Sequence, residues 1–305
     1  MSRMIDAPYE IQFELLHERS VARAKLLVEI GSETSSEVAV LDADNNDFVR
    51  LGGLPERSSV ETISLSNDGT KLLASVRQKH SRLSSFQLII HELDTGIQKF
   101  YATSGGGYLL GSISPDGNHI AALNDTSSED AQAALDVIKV STGERESVWT
   151  GDGWWETERA VNWSPDGSLV AATYLNANDE LATLIIDPVA KIVQGMHVGY
   201  GLIQSSHGSW LANRELMVYS ENEAELTSIN IEKGSRRNFA WPSDRRDIFK
   251  MVYNRRLVWK AYSDPYESDR TLLYSTNLEG RDRQDFIIIR PVCGTISLDV
   301  APGVR

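Results

Sequence analysis

One phrase recurs along this chain and constrains its fold more than any other feature. It reads TISLSNDGTKLLASV, then GSISPDGNHIAAL, then VNWSPDGSLVAATY, with glycines at Gly69, Gly117 and Gly167. Proline sets the φ that a tight turn needs, aspartate hydrogen-bonds nearby backbone, and glycine accepts a positive φ. Because apolar runs flank each turn, the phrase predicts a strand, a tight turn and a second strand, which is a β-hairpin.

The same turn position recurs in weaker form along most of the chain. Asparagine is the non-glycine residue that best tolerates this backbone region, and Asn213 and Asn254 occupy the position later, as Arg23 does earlier. The six positions are 46, 48, 50, 46 and 41 residues apart, and an apolar run begins three residues after each. A second turn follows a third strand in every unit, so each repeat holds four strands in about 45 residues.

This period and content predict an all-β fold, a six-bladed β-propeller of four-stranded antiparallel blades. Radial stacking of the blades buries both faces of each sheet, which one blade cannot do alone. Seven blades with one split is the architectural alternative, and a pair of β-sandwiches is the rival fold. We place the blades at 9–55, 56–104, 105–152, 153–198, 199–243 and 244–292, with 293–305 as a strand that closes the ring with N-terminal residues.

The phrase resembles the TolB-type, WD-like propeller repeat, which also builds the propeller of prolyl-oligopeptidase-type enzymes. The resemblance is close at Ser66–Gly69, Ser114–Gly117 and Ser164–Gly167, degenerate in the other three repeats, and covers nearly the whole chain. The motif residues build hairpins, so the resemblance implies a fold and not an active site. The WD form differs, because this chain has no recurring Gly-His before the blades and no Trp-Asp closing them.

Composition and charge limit the partners and the location that we expect. The 305 residues include 30 basic and 43 acidic side chains, which gives a net charge of −13. A general nucleic-acid binder needs a basic surface, so we expect no nucleic-acid partner. The first residues lack the apolar run of a signal peptide, and no stretch has the length of a membrane span. We therefore expect a soluble, cytoplasmic protein without membrane insertion.

The sequence offers little that could carry catalysis. The G-x-S-x-G elbow of serine hydrolases is absent, Cys293 is the single cysteine, and the histidines form no metal-binding pair. Some propeller enzymes hold calcium in the central channel with side chains from several blades, for which Asn162, Glu61 and Asp247 are the candidates here. We expect no catalytic residue and no cofactor, and calcium only if the protein is such an enzyme.

One face of the predicted propeller is rich in aromatic side chains and arginine, which are enriched at binding hot spots. We name it the loop face; it is formed by the connections between blades and by the loops that join second to third strands. Trp154-Trp155 is its sharpest feature, since adjacent residues of an extended segment point opposite ways and at most one needs to be core. Packing of both between blades is the alternative. The predicted contact residues are Trp154, Trp155, Tyr108, Tyr200, Trp241, Arg245, Arg246, Arg82 and Tyr266.

These observations favour a non-catalytic binding or scaffold module that recognises a protein or peptide through the loop face. A metal-dependent propeller hydrolase or lyase acting at the central channel is the alternative. A carbohydrate-binding propeller is a weaker alternative, prompted by the tryptophans. The doublets Arg236-Arg237, Arg245-Arg246 and Arg255-Arg256 also make the C-terminal third locally basic within an acidic protein.

Overall fold

The computed structural model describes most of the repeat region and parts of both ends. It describes residues 3–4, 11–15, 24–31, 36–42, 47–51, 54, 58–79, 84–101, 108–126, 132–155, 161–202, 210–220, 225–239, 248–253, 256–261, 271–291 and 295–302. Within this part of the chain, no helix has the length and apolarity needed to cross a membrane.

The described secondary structure consists of strands joined by turns. The first strands are β1 (Arg3–Met4), β2 (Ile11–Leu15), β3 (Ala24–Gly31), β4 (Ser36–Asp42), β5 (Asp47–Leu51), β6 (Ser58–Leu65), β7 (Lys71–Lys79), β8 (Ser84–Glu92), β9 (Gln98–Tyr101), β10 (Tyr108–Ile113), β11 (His119–Thr126), β12 (Gln132–Lys139), β13 (Arg145–Trp155) and β14 (Asn162–Trp163). The remaining strands are β15 (Val170–Asn176), β16 (Leu181–Asp187), β17 (Ile192–Val198), β18 (Tyr200–Leu202), β19 (Trp210–Ala212), β20 (Glu215–Ser220), β21 (Glu225–Asn230), β22 (Arg236–Phe239), β23 (Ile248–Tyr253), β24 (Arg256–Lys260), β25 (Thr271–Thr276), β26 (Gln284–Pro291) and β27 (Thr295–Pro302).

The described strands pair antiparallel and form five sheets, which confirms the all-β, antiparallel prediction. Four of the orders are β27-β3-β4-β5, β6-β7-β8-β9, β18-β20-β21-β22 and β1-β2-β26-β25-β24-β23, and β19 also pairs with β20. The fifth sheet has eight strands in the order β10-β11-β12-β13-β15-β16-β17, with β14 also paired to β15. Its two parts, called below the β10–β13 half and the β13–β17 half, share the long strand β13. The blade number and the blade limits stay predictions.

The turn between β14 and β15 shows why the recurring phrase folds as a hairpin. The Ser164 hydroxyl donates to Asp166 Oδ1 at 2.7 Å and accepts a bond from the Leu169 amide at 2.9 Å. Asp166 Oδ1 also accepts from the Ser168 amide at 3.0 Å. Gly167, at a φ of 71°, donates its amide to the Ser164 carbonyl at 2.9 Å. The serine, the aspartate and the glycine therefore each form a hydrogen bond with a backbone group of the turn that has no partner in the β-ladder.

The same serine–aspartate arrangement holds the two earlier turns of the phrase. Ser66 donates to Asp68 and Ser114 donates to Asp116, each at 2.5 Å between oxygens. Burial raises the pKa of Asp68, Asp116 and Asp166, but hydrogen bonds from the serine and from nearby backbone and side chains outweigh it. The net effect lowers the pKa of all three carboxyls below the usual value of 3.8. The turns are therefore stabilised by ionised aspartates.

Apolar side chains fill the space between consecutive sheets wherever the structure describes both sheets. Leu73 and Leu88 of the β6–β9 sheet pack against Ile113 and Ile120 of the β10–β13 half. A second apolar layer lies between the two halves of the eight-stranded sheet and contains Leu123, Leu135, Ala172, Leu184 and Ile186. A third layer lies between the β13–β17 half and the β18–β22 sheet and contains Ala171, Ile185, Leu216 and Val218. The core is thus a series of layers between sheets.

Two opposite faces of the molecule follow from the strand directions. The hairpin turns meet on one of them, because the Asn67 amide donates to the Pro115 carbonyl at 2.8 Å. At the other end of the strands, the Gly199 amide donates to the Leu181 carbonyl at 2.7 Å. This bond places the connection between β17 and β18 beside the turn between β15 and β16. The latter end is the loop face.

Strands from the two ends of the sequence complete two different sheets. Near the C-terminus, β27 pairs with β3, with Leu298 opposite Val28 in the register. Near the N-terminus, β2 pairs with β26, with Phe13 opposite Ile289. The β27-β3-β4-β5 sheet therefore takes its first strand from residues distant in sequence.

Candidate functional site

The paired tryptophans lie on β13, the strand that connects the two halves of the eight-stranded sheet. Its residues up to Asp152 pair with β12, whereas Gly153, Trp154 and Trp155 pair with β15. Gly153 has a φ of 133°, and a Cβ atom there would lie 2.1 Å from the Leu175 carbonyl oxygen. Glycine is therefore required where the chain passes from one half to the other.

Trp155 belongs to the core, and its prediction as a contact residue of the loop face is wrong. Its side chain is 2% exposed, and its indole Nε1 donates to the carbonyl oxygens of Asn124 at 3.0 Å and Ala134 at 3.2 Å. Its ring centroid lies 5.5 Å from that of Trp149 and 6.2 Å from that of Tyr174. The side chain thus anchors β13 between the two halves of the sheet.

Trp154 points to the opposite face of the sheet from Trp155, as the alternation of an extended strand requires. It lies opposite Leu175 in the register and is 39% exposed. The main chain on either side of it is held by the β15 ladder, so its position is determined by strands and not by a free loop. An aromatic ring held in this way has little conformational entropy to lose when it contacts a partner.

Tyr200 lies at the loop-face end of the molecule, next to the connection that leaves β17. Its carbonyl oxygen accepts a hydrogen bond from the Thr183 hydroxyl at 2.8 Å. Its own hydroxyl accepts from Arg236 Nη1 at 3.0 Å, and the Arg236 guanidinium lies 4.9 Å from the ring centroid. The structure therefore joins Tyr200 to one of the arginine doublets, and it places Trp154 and Tyr200 at the same end of the β13–β17 half.

The pKa of His197 on β17 is sensitive to the positive charge of Arg236. Burial lowers the pKa of His197 below its usual value of 6.5, and the positive charge of Arg236 lowers that pKa further. Two effects of the same sign keep the imidazole neutral near neutral pH. Arg236, and not His197, therefore supplies positive charge to the surface beside β17.

Of the other predicted contact residues, the structure describes only Tyr108. Tyr108 is the first residue of β10, and a bulge between Tyr108 and Leu110 interrupts its pairing with β11. The rest lie outside the described residues: Arg82, Trp241, Arg245, Arg246 and Tyr266. Their place on the loop face stays a prediction.

The structure describes two of the three candidates for a calcium site in the channel, and that site stays a prediction. Asn162 is buried on β14, and its carbonyl oxygen accepts from Trp210 Nε1 at 3.4 Å. Glu61 is exposed on β6, and Asp247 lies outside the described residues. No group of three histidine, cysteine, aspartate or glutamate side chains suited to a metal occurs in the part of the chain that the structure describes.

The sequence reasoning missed a second apolar surface, on β17 and the turn before it. Its exposed residues are Val189, Ile192, Val193, Met196 and Val198. The signal was present in the sequence, because the seven residues IVQGMHV contain no lysine, arginine, aspartate or glutamate. The structure places this strand at the end of its sheet, so these apolar side chains are exposed.

Comparisons with known proteins show the class of fold. No family model matches the chain, and no curated protein sequence matches it. Among solved structures, it is similar to TolB from Acinetobacter baumannii with a TM-score of 0.63 and 13% identity, over 93% of this chain and 68% of that one. The chain is therefore a β-propeller.

Two further solved structures show the same type of fold. A putative TolB from Agrobacterium tumefaciens matches with a TM-score of 0.55 and 14% identity, over 92% of this chain and 98% of that one. A chain of the Nidogen/Laminin complex matches with a TM-score of 0.60 and 11% identity, over 92% of this chain and 100% of that one. The prediction of a TolB-like propeller is confirmed. At these identities the similarity concerns the fold alone.

Proposed function

We propose that this chain is a non-catalytic binding module, a six-bladed propeller that recognises a protein or peptide partner through its loop face. The observation that supports it most is Trp154, a large aromatic side chain that is 39% exposed at that face on a strand segment paired with β15. Tryptophan is the residue type most enriched among binding hot spots. Tyr200, braced by Arg236, extends the same surface.

The contacts between first strands support a ring of six blades. β27 contacts β6, β6 contacts β10, β10 contacts β14, β19 contacts β23, and β23 contacts β27. The bond from Trp210 Nε1 to the Asn162 carbonyl joins β19 to β14. Each first strand therefore has a neighbour on both sides, as in a closed propeller.

The similar fold in the Nidogen/Laminin complex gives a precedent for protein recognition by such a scaffold. Loops presented by a rigid propeller suit that role, since they vary without loss of the core. A cytoplasmic location is part of the proposal, and fractionation of host cells with antibody detection tests it.

The test is an affinity capture from lysate of the native host, with wild-type protein and two variants that are first shown to fold. Trp154→Ala removes the proposed contact, and Phe100→Ala removes an exposed aromatic ring on β9, away from the loop face. A partner retained by wild type and by Phe100→Ala, but weakened about thirtyfold by Trp154→Ala, supports the proposal.

Three other results would contradict it. If Trp154→Ala captures the partner as well as wild type does, the partner does not bind through the loop face at Trp154. Glycan binding that depends on Trp154 favours a carbohydrate-binding propeller. Metal-dependent hydrolysis or elimination by the purified protein favours an enzyme.

A further inference from the structure

β17 is an edge strand whose outward backbone groups are available for pairing. It ends the order of its sheet and, among the described strands, pairs with β16 alone. The bond from the Gly199 amide to the Leu181 carbonyl sets the phase of that ladder. In an antiparallel ladder, residues alternate between pairs that exchange hydrogen bonds and pairs that do not. Met196 and Val198 therefore direct their N–H and C=O groups away from β16.

β17 lacks the charges with which edge strands usually prevent the addition of another strand. The other strands at the outer ends of the sheet orders all carry one, namely Arg3 on β1, Asp47 and Arg50 on β5, Lys99 on β9, and Arg236 and Arg237 on β22. Within the described residues, β17 is thus the outer strand best suited to accept a new neighbour.

One face of β17 is apolar and about half exposed. Val193, Met196 and Val198 lie on it with exposures of 39%, 48% and 49%. A bulge in the pairing with β16 brings Val193 to this face. The Tyr174 hydroxyl donates to Met196 Sδ at 3.7 Å, and the ring centroids of Tyr174 and Trp149 are 5.3 Å apart. The exposed side chains therefore continue an aromatic cluster of the core to the surface.

The opposite face of β17 adjoins a positive charge. His197 lies on this face, and Arg236 of β22 is close enough to lower the pKa of the imidazole. Tyr200 holds the guanidinium in place through a hydrogen bond and ring contact. No carboxylate of the described residues forms an ion pair with Arg236, so its charge is available to a partner.

We propose that β17 is a strand-addition site for an extended peptide segment in which apolar and acidic residues alternate. The segment pairs with the outward groups of Met196 and Val198. Its apolar side chains lie beside Val193 and Met196, and its acidic side chains face Arg236. Strand addition of this kind obtains affinity from main-chain hydrogen bonds and specificity from alternate side chains. A second copy of the chain suits the site less well, because its own β17 brings no acidic residue.

The site adjoins the loop face at Tyr200 but does not include Trp154, and it is tested separately with synthetic peptides. The probe is a short peptide in which valine alternates with glutamate. Two comparison peptides have the same composition in blocks, or lysine in place of glutamate. Binding is measured by calorimetry, and hydrogen exchange of the β17 amides locates it. We expect the alternating glutamate peptide to bind at least tenfold more tightly than either comparison peptide and to slow exchange at Met196 and Val198.

Two pairs of variants separate the backbone and the charge contributions. Met196→Pro removes an outward N–H that does not take part in the ladder with β16. Met196→Ala removes most of the side chain and keeps that N–H. We expect at least a tenfold further loss of affinity in the proline variant. Arg236→Glu should reverse the preference toward the lysine peptide. Arg283→Glu is its control, since Arg283 also lies over a tyrosine ring, that of Tyr274 at 3.9 Å, on another sheet.

The proposal is overturned by equal binding of the three peptides, or by binding that Met196→Pro leaves unchanged. It is also overturned if no peptide binds while wild-type protein self-associates and Met196→Pro does not, because the occupant is then a second copy. These results leave the loop-face proposal untouched, since Trp154 takes no part in them.

Discussion

The buried histidine on β8 makes a quantitative prediction about stability in mild acid. His91 is 2% exposed, and its Nε2 has no hydrogen-bond partner among the described residues. Burial lowers the pKa of His91 from 6.5 to about 4 in the folded state. The unfolded chain therefore binds a proton at a higher pH than the folded chain does, and each protonation favours unfolding.

The size and sign of the effect follow from these two pKa values. The contribution of His91 is complete above pH 6.5 and is lost as the pH falls toward 4. Linkage gives a loss of about 2 kcal/mol in the free energy of unfolding between about pH 7 and pH 5, and about 3 kcal/mol over the whole window. The aspartates of the hairpin turns titrate below this range, because their pKa values lie under 3.8.

The assay is urea unfolding followed by tryptophan fluorescence at both pH values. His91→Gln keeps a polar side chain that does not titrate, so the variant should lose about 2 kcal/mol less than wild type between the two. His119→Gln, which removes a less buried histidine of β11, serves as the control and should retain the wild-type difference. A pH dependence of His91→Gln equal to that of wild type would refute the argument from burial.

Three further predictions concern residues that shape β13 and the turns. Gly153→Ala should prevent normal folding, because its Cβ would meet a main-chain oxygen at 2.1 Å. Gly234→Ala has open space at its Cβ and only the strain of a positive φ, so it should fold and lose about 1 kcal/mol of stability. Trp155→Phe should cost about 2–3 kcal/mol in urea unfolding, since two buried carbonyls lose their donor. Ser164→Ala should cost about 1 kcal/mol in the same assay and shift the NMR titration of Asp166 to higher pH.

The hairpins could be predicted from the sequence because their chemistry is local. Ser164, Asp166 and Gly167 satisfy each other and their neighbours within a few residues, so their identity and spacing specify the turn. Repetition at a regular period then specifies stacked sheets. The pairing of β2 with β26 depends on contacts between distant residues, for which the short N-terminal segments carry no comparable local signal.

The candidate site was harder to predict, because the exposure of a side chain depends on which other residues pack against its face of the strand. Alternation showed that Trp154 and Trp155 face opposite ways, but not that Trp149 and Tyr174 would enclose the second of them. Likewise, the apolar run of β17 does not show by itself that the strand lies at the edge of its sheet, which follows from the sheet order. The positions of neighbours, and not the residue types, decide both cases.

The pairing of β27 with β3 has a consequence for how the chain folds during synthesis. Residues 24–51 are synthesised before β27 and can form β3, β4 and β5, but the strand that pairs with the open side of β3 is made only after β26. Until then, the sheet of β3, β4 and β5 has an unprotected edge at which another nascent chain can pair. Closure over so long a loop is also slow, since its entropy must be lost before any contact compensates it. Wild-type protein should therefore refold more slowly, and aggregate more readily while refolding, than a circular permutant that begins at β27, in which β27 is made before β3.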